Sequence, residues 1–163
     1  MQKKSKKIIF LDRDGVINKK AKEHSYIVTT EDFVFNSGIF EVVLYFRAKG
    51  FEIIVITNQR GISRGLMTKD DLENIHQYMR SEFEKRNISI LDIFYCPHGI
   101  DECKCRKPRN GMLRMACAKY AIDIDNSILI SDTEDDVIMG IAFGLTSYKI
   151  HANHPESVMI KIL

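Results

Sequence analysis

The chain lacks tryptophan, has only three prolines in 163 residues, and contains no long apolar run. No apolar stretch approaches the ~20 consecutive residues that a membrane-spanning helix needs. Lysine and arginine together number 24 and aspartate and glutamate 22, so the formal net charge is only +2. So small an excess creates no global field that would attract nucleic acid or an anionic membrane. We expect a cytoplasmic, monomeric protein that binds neither.

Cysteine is also scarce, and three of the four cysteines fall within ten positions: Cys96, Cys103 and Cys105. In an intracellular chain such clustering favours metal binding over disulfides. His98 lies in the same segment, and the resulting Cys-x-His-x4-Cys-x-Cys pattern supplies the ligand types of a closed structural zinc site. The spacing is tighter than that of zinc fingers, so reduced free thiols or a strained disulfide remain alternatives.

Short apolar runs alternate with helical patterns along the chain, and no repeat or linker separates them. Because strand alternates with helix, we predict a parallel sheet with helices on both faces. The length fits one domain, residues 1–163, with a sizeable core. The predicted strands lie at 8–11, 51–56, 93–95, 127–130 and 145–150.

The helical patterns between these runs have recognisable ends. Ser37 can cap a first helix that Gly50 terminates. Thr68 can cap a longer second helix with an apolar stripe. Two further helices are predicted at about 111–120 and 133–143.

Ligands of such sheets bind beyond the carboxyl ends of the strands, and polar side chains follow the first two runs. Asp12 and Asp14 follow the first run, where two carboxylates can share a divalent cation. The alternative is a charged turn, since Asp and Gly are common there. Thr57, Asn58 and Gln59 follow the second run, where a hydroxyl and backbone N–H groups suit a phosphate group. The alternative is an ordinary polar loop.

Charged residues mark two later segments. Arg106 and Lys107 stand together before Pro108 and can neutralise a phosphoryl group, although a solvated basic turn is the alternative. Asp132 follows the fourth run and could complete a magnesium site, because Mg²⁺ prefers oxygen ligands. A helix cap with favourably placed acids is the other interpretation.

In this order and spacing, the four segments resemble the motifs of the haloacid dehalogenase-like superfamily of phosphatases, over roughly residues 8–150. The resemblance implies a capless, three-layer Rossmann-like α/β fold with a zinc loop. It implies that Asp12 attacks phosphorus and that Asp14 is the general acid and base. Mg²⁺ would be held by Asp12, the backbone carbonyl of Asp14, and Asp132. The residues implied for the transferred phosphoryl group are Thr57, Asn58 and Lys107, and Gln59 is implied as a further substrate-binding residue.

The zinc pattern, running directly into Cys-Arg-Lys-Pro, resembles the branch of heptose-bisphosphate and histidinol-phosphate phosphatases. Two segments, 57–65 and 106–112, resemble stretches of the D-glycero-D-manno-heptose 1,7-bisphosphate 7-phosphatases. That resemblance implies a phosphorylated sugar as substrate, with Arg64 and Arg106 binding its distal phosphate. The zinc loop is closer in length to the histidinol-phosphate enzymes, so that activity stays open.

The fourth motif departs from the family pattern. Ser131 and Thr133 stand where the family has Gly before and Lys or Arg after the metal-binding aspartate, while Asp136 keeps its usual spacing. Loss of that cation could change metal affinity or substrate preference. A catalytically silent, zinc-stabilised binding module is a rival of another class, but a scaffold has no chemical need for Asp12 and Asp14. Neither a basic stripe nor an aromatic platform indicates a nucleic-acid 3′-phosphatase.

Overall fold

A five-stranded, wholly parallel sheet forms the centre of the computed structural model, which describes residues 4–163. The spatial order is β3-β2-β1-β4-β5, every strand pair is parallel, and the register of the β2–β3 pair shifts between Ile53 and Ile54. The predicted α/β fold is therefore confirmed. The strands are β1 Lys7–Leu11, β2 Phe51–Asn58, β3 Ile90–Cys96, β4 Ile128–Ser131 and β5 Thr146–Lys149.

The helices are α1 Ile39–Ala48, α2 Lys69–Glu84, α3 Gly111–Lys119, α4 Glu134–Phe143 and α5 Ser157–Ile162. The predicted cap of α2 is confirmed: the Thr68 hydroxyl accepts from the Asp71 N–H, and the Asp71 carboxylate accepts from the Thr68 N–H. The predicted cap of α1 is wrong. Gly38, with φ +84°, takes the N-cap position instead of Ser37, and no side chain among residues 4–163 caps that helix. Helix α5 was not predicted, since six residues carry too little periodicity.

Alternate residues of the central strand face opposite layers. Ile9 and Leu11 pack in a core with α1, α2 and α5, whereas Ile8 and Phe10 pack in a second core with α3 and α4. All four side chains are fully buried. A strand buried on both faces requires a continuous apolar run, and this explains why the run in the sequence shows no alternation.

The strand order reverses at β1: β2 and β3 are added on one side of this strand, and β4 and β5 on the other. Strand β1 pairs with β2 on one side and with β4 on the other, so a crevice opens at the carboxyl ends of β1 and β4. The Asp12 N–H donates to the Ile130 carbonyl at 3.2 Å, which brings the segments after these two strands together. Within residues 4–163, none of the helices combines the length and the apolar character needed to cross a membrane.

Candidate active site

Three charged side chains from separate segments meet at this crevice. The Lys107 ammonium nitrogen lies 2.9 Å from Oδ1 of Asp12 and 2.7 Å from Oδ2 of Asp136. Each residue is less than 9% exposed. A buried charge is tolerated only when it is paired, so the lysine and the two carboxylates stabilise one another. The sequence placed Asp136 by spacing alone; its contact with Lys107 comes from the fold.

Asp12 follows directly on the end of β1. Burial and, to a smaller extent, the neighbouring carboxylates of Asp136 and Asp14 outweigh the opposing charge of Lys107 and together raise the pKa of Asp12 to about 6. The side chain is therefore charged at neutral pH. Ser131, which replaces the family's glycine, donates its hydroxyl to Asp136 at 2.9 Å and so helps to fix the acid that orients Lys107.

Asp14 is held by several donors. Its Oδ1 accepts hydrogen bonds from the Arg13 guanidinium and from Asn18, and its Oδ2 accepts one from Gln59 at 3.0 Å. Burial alone would raise the pKa of Asp14, but the Arg13 charge and the hydrogen bonds from Asn18 and Gln59 bring that pKa below its ordinary value. The resting carboxylate is ionised.

Asp132 has the features of a cation ligand. Its side chain is only 2% exposed, and its Oδ1 has no hydrogen-bond partner within residues 4–163. The carboxylate lies against Gly15, where a Cβ atom would come within 2.6 Å of Oδ2. Gly15 also has φ +87°, a conformation that favours glycine. With Asp12 on the adjacent strand end, these oxygens fit the ligand preference of Mg²⁺.

Lys20 was missed in the sequence. Its ammonium nitrogen lies 2.7 Å from Oδ2 of Asp132, so it pairs with one carboxylate oxygen and leaves Oδ1 without a partner in the described part of the chain. The Lys20 backbone N–H donates to Asn153, whose own N–H donates to the Gly15 carbonyl, both at 2.8 Å. A cation thus reaches Asp132 from the loop after β1, while position 133 carries a threonine. No sequence signal could reveal this, because 112 positions separate Lys20 from Asp132.

The side chains at the carboxyl end of β2, Thr57 to Gln59, bond to one another and to the segments beside them. The Asn58 amide pairs with the Lys107 backbone through both ends, accepting from its N–H at 3.0 Å and donating to its carbonyl at 3.1 Å. The Thr57 hydroxyl is buried and accepts from Gln59 at 2.9 Å. These contacts connect β2 to the loop that delivers Lys107, so Asn58 positions that lysine.

A cleft of about 290 Å³ opens above these groups. Its lining includes Arg106 but not Arg64, which is exposed in the loop before α2. Of the two arginines that the sequence predicted for a distal phosphate, the fold therefore brings one to the cleft. The lining residues are Asp12, Asp14, Lys20, Asn58, Arg106, Lys107, Thr133 and Asp136.

The four predicted zinc ligands also come together. The three sulfur atoms of Cys96, Cys103 and Cys105 lie 3.0 to 3.4 Å apart, and His98 Nδ1 lies 3.3 Å from the Cys105 sulfur. All ligand atoms fall within 4.8 Å of one another, so the cluster could hold a metal ion. The cysteines are free, and the disulfide alternative is not observed. The Arg106 N–H donates to the Cys103 sulfur at 3.3 Å, which connects the cluster to the basic segment.

Comparison with known proteins matches residues 7–149 to the family model described as polynucleotide kinase 3 phosphatase. The chain belongs to this phosphatase family. Within the family, its relatives confirm the heptose-bisphosphate branch suggested by the sequence. It is 39% identical to the D-glycero-alpha-D-manno-heptose-1,7-bisphosphate 7-phosphatase of Photorhabdus laumondii, over 96% of this chain and 89% of that one. It is 44% identical to the Campylobacter jejuni protein of the same name, over 83% of this chain and 76% of that one.

A solved structure agrees with this family assignment. The D,D-heptose 1.7-bisphosphate phosphatase from B. bronchiseptica, complexed with magnesium and phosphate, superimposes with a TM-score of 0.83 at 27% identity. The match covers 94% of this chain and 86% of that one. The B. bronchiseptica phosphatase and the present chain therefore share the fold in which the carboxyl ends of the strands surround one crevice.

Proposed function

We propose that this chain is a Mg²⁺-dependent phosphatase that hydrolyses D-glycero-D-manno-heptose 1,7-bisphosphate at position 7. The observation that carries the proposal is the buried Asp12 carboxylate, which pairs with Lys107 at the edge of the cleft. It occurs in a chain that is 39% identical to a phosphatase of that name. Relatives named for the alpha and for the beta anomer both match, so both anomers are test substrates. The proposal includes a cytoplasmic location and a monomeric state.

The first step transfers the phosphoryl group to the protein. Asp14, which is ionised in the resting site, would take up a proton from solvent as the negatively charged phosphate binds beside it. A carboxylate oxygen of Asp12 forms a bond to phosphorus, the bond from phosphorus to the sugar oxygen breaks, and Asp14 gives that proton to the sugar oxygen. In the second step Asp14 takes a proton from water as the water attacks phosphorus. The bond to Asp12 breaks as the bond to water forms, which releases inorganic phosphate, restores the Asp12 carboxylate and leaves Asp14 protonated until it returns the proton to solvent.

Charge neutralisation accompanies both steps, because phosphoryl transfer depends mainly on positioning and electrostatics. The Lys107 ammonium group would contact the phosphoryl oxygens while it keeps Asp12 oriented. Thr57, Asn58 and Gln59 would support this contact from β2. When bound, Mg²⁺ would supply further positive charge to the phosphoryl oxygens. Its ligands would be Asp12, the Asp14 carbonyl and Asp132, whose unpartnered Oδ1 supports this assignment.

The distal phosphate of the substrate needs a second cationic group. Arg106 lines the cleft, and its Nη1 has no hydrogen-bond partner within the described part of the chain. These two facts favour Arg106 as a ligand of the distal phosphate. Arg64 would join it only if the exposed loop before α2 approaches the substrate, so the two arginines are tested separately below.

The cluster of three cysteines and His98 would hold a structural Zn²⁺. The metal would take no part in the chemistry. It would add folding free energy to the loop between β3 and α3, and that loop carries Arg106 and Lys107 to the cleft. The hydrogen bond from the Arg106 N–H to the Cys103 sulfur supports this coupling.

The test is a comparison of kcat/KM among four phosphates, each with and without Mg²⁺. The substrates are the two heptose bisphosphate anomers, histidinol phosphate, and an oligonucleotide with a 3′-phosphate. We expect one heptose anomer to exceed the last two by at least 100-fold and to yield the 1-phosphate. Faster turnover of histidinol phosphate or of the oligonucleotide would reject the proposed substrate. Activity that persists in a folded Asp12→Asn variant would reject the nucleophile.

A further inference from the structure

Arg13 lies between the two active-site aspartates in the sequence and is fully buried, with 0% of its surface exposed. A buried guanidinium group must find partners, because an unpaired buried charge is strongly destabilising. Its Nε and Nη2 donate to Oδ1 of Asp14 at 3.3 and 2.9 Å. Its Nη1 lies 3.2 Å from Nε2 of His76, and the Phe33 ring centroid lies 5.6 Å from its Cζ. Each side of the guanidinium is thus held by a different residue.

His76 reaches Arg13 from helix α2 and is itself only 3% exposed. Arginine has N–H donors and no acceptor, so the 3.2 Å contact is a hydrogen bond only if Nε2 of His76 carries no proton. Burial, and then the nearby Arg13 charge, lower the pKa of His76 to about 3. The imidazole is therefore neutral at physiological pH, with its proton on Nδ1, and accepts from Arg13.

The two oxygens of Asp14 have different surroundings. Oδ1 accepts two hydrogen bonds from Arg13 and one from Asn18. Oδ2 accepts one, from Gln59. Since a carboxylate oxygen has two lone pairs, Oδ1 is fully used and Oδ2 keeps the capacity to carry a proton. Asp14 also lines the cleft beside Asp12.

We propose that His76 and Arg13 form a positioning pair for Asp14: His76 holds the guanidinium, the guanidinium holds Oδ1, and Oδ2 is the atom that transfers the proton. This inference rests on the proposed function, in which Asp14 is the general acid and base. Neither member of the pair needs to contact the substrate. The pair makes the position of a catalytic carboxylate depend on a side chain of α2, a helix whose inner face belongs to the core.

A comparison of leaving groups tests the pair. The sugar oxygen of an alkyl phosphate needs a proton as it departs, whereas p-nitrophenyl phosphate expels a stable phenolate and needs little acid catalysis. We expect His76→Phe, which removes the acceptor, to slow the first step at least tenfold more with heptose bisphosphate than with p-nitrophenyl phosphate. Single-turnover experiments that follow release of the leaving group measure the first step alone. The second step starts from the same phosphorylated Asp12 with either substrate, so it cannot distinguish them.

Two further variants separate positioning from a structural effect. His76→Gln places an amide oxygen where it can accept from Arg13, and we expect it to recover most of the lost rate. Met79→Ala removes a buried side chain from the same helix. We expect Met79→Ala to lower the Tm. The ratio of the first-step rate with heptose bisphosphate to that with p-nitrophenyl phosphate should stay at the wild-type value.

Equal losses on both substrates in His76→Phe, or no loss on either, would overturn the inference. Should His76→Phe fail to fold, Arg13→Lys allows the same comparison, because lysine keeps the charge but cannot form the planar fork. Equal losses in that variant would overturn the inference as well. If the unchanged protein hydrolyses p-nitrophenyl phosphate and a simple alkyl phosphate but not heptose bisphosphate, only the proposed substrate fails. The simple alkyl phosphate then replaces heptose bisphosphate in the comparison.

Discussion

The Lys107 ammonium group lies 2.9 Å from the Asp12 carboxylate, although the two residues follow different strands of the sheet. Burial alone would lower the pKa of Lys107, but the carboxylates of Asp12 and Asp136 raise it above its ordinary value. The lysine therefore stays charged in a site from which solvent is largely excluded. One cation thus holds Asp12, the proposed nucleophile, and in the proposed mechanism also contacts the phosphoryl group.

Removing this cation should affect both stability and activity. Lys107→Met leaves two buried carboxylates without their partner, and breaking a buried ion pair in this way costs about 3–5 kcal/mol. We expect a fall of about 3 kcal/mol in the free energy of unfolding, measured in urea, and at least a 100-fold loss of kcat. The matched control is Lys149→Met, which breaks an exposed pair with Glu134 and should change neither quantity appreciably. Similar unfolding curves for both variants would contradict the buried pair.

His76 should make the protein less stable in acid. Its pKa is about 3 in the folded chain against an ordinary value of 6.5, so between these values the unfolded chain binds more protons. Stability from this group is complete above pH 6.5 and is lost as the pH falls, by about 3 kcal/mol at pH 4. The measurement is the free energy of unfolding from pH 7 to pH 4.

In His76→Gln this acid-dependent loss should be reduced, because glutamine does not titrate. His24→Gln provides a surface control, since the His24 side chain is 87% exposed. It should leave the pH dependence of the unfolding free energy unchanged. An equally steep loss in His76→Gln and in the unchanged protein would show that another group is responsible.

Gly15→Ala should weaken magnesium binding. The added Cβ would come within 2.6 Å of the Asp132 carboxylate, which would have to move. We expect at least a tenfold weaker Mg²⁺ affinity by calorimetry. Gly65→Ala is the matched control: it has φ +70° and no atom within 4 Å of the added Cβ. It should cost about 1 kcal/mol of stability through the positive φ alone and should keep the magnesium affinity. Equal affinities in the two variants would argue against Asp132 as a ligand.

About one zinc ion per chain should accompany the protein when it is purified without chelator, because the three cysteines and His98 converge. Cys105→Ser should lower the zinc content and the Tm. Cys117→Ser alters the cysteine outside the cluster and should retain the metal. Elemental analysis and thermal unfolding measure both quantities. A zinc-free protein, or equal zinc in both variants, would contradict the assignment.

Arg106→Ala should reduce kcat/KM for the heptose bisphosphate at least tenfold more than for a simple monophosphate. The reason is that Arg106 lines the cleft and its Nη1 is unpartnered in the described part of the chain. Arg64→Ala should have the smaller effect, since Arg64 is not among the residues that line that cleft. The reverse order would assign the distal phosphate to the loop before α2.

Much of the fold could be predicted from the sequence, because its signals are local. Continuous apolar runs identified the buried strands, and the cap formed by Thr68 identified the start of α2. The start of α1 was misassigned because a serine at position 37 looks like a cap, whereas the backbone turn requires positive φ at Gly38. The short helix α5 could not be predicted, because six residues are too few to show the periodicity of apolar residues that identifies a helix.

The sequence by itself determined which residues stand at the strand ends and which four side chains form the cysteine–histidine cluster, since neighbours in sequence stay neighbours in space. Only the tertiary structure decided how distant groups combine. It paired Lys107 with Asp12 and Asp136, placed Lys20 on Asp132, and set His76 against Arg13. Those contacts depend on the parallel order of the strands and on the burial of charge. Burial makes pairing necessary but does not reveal the partner.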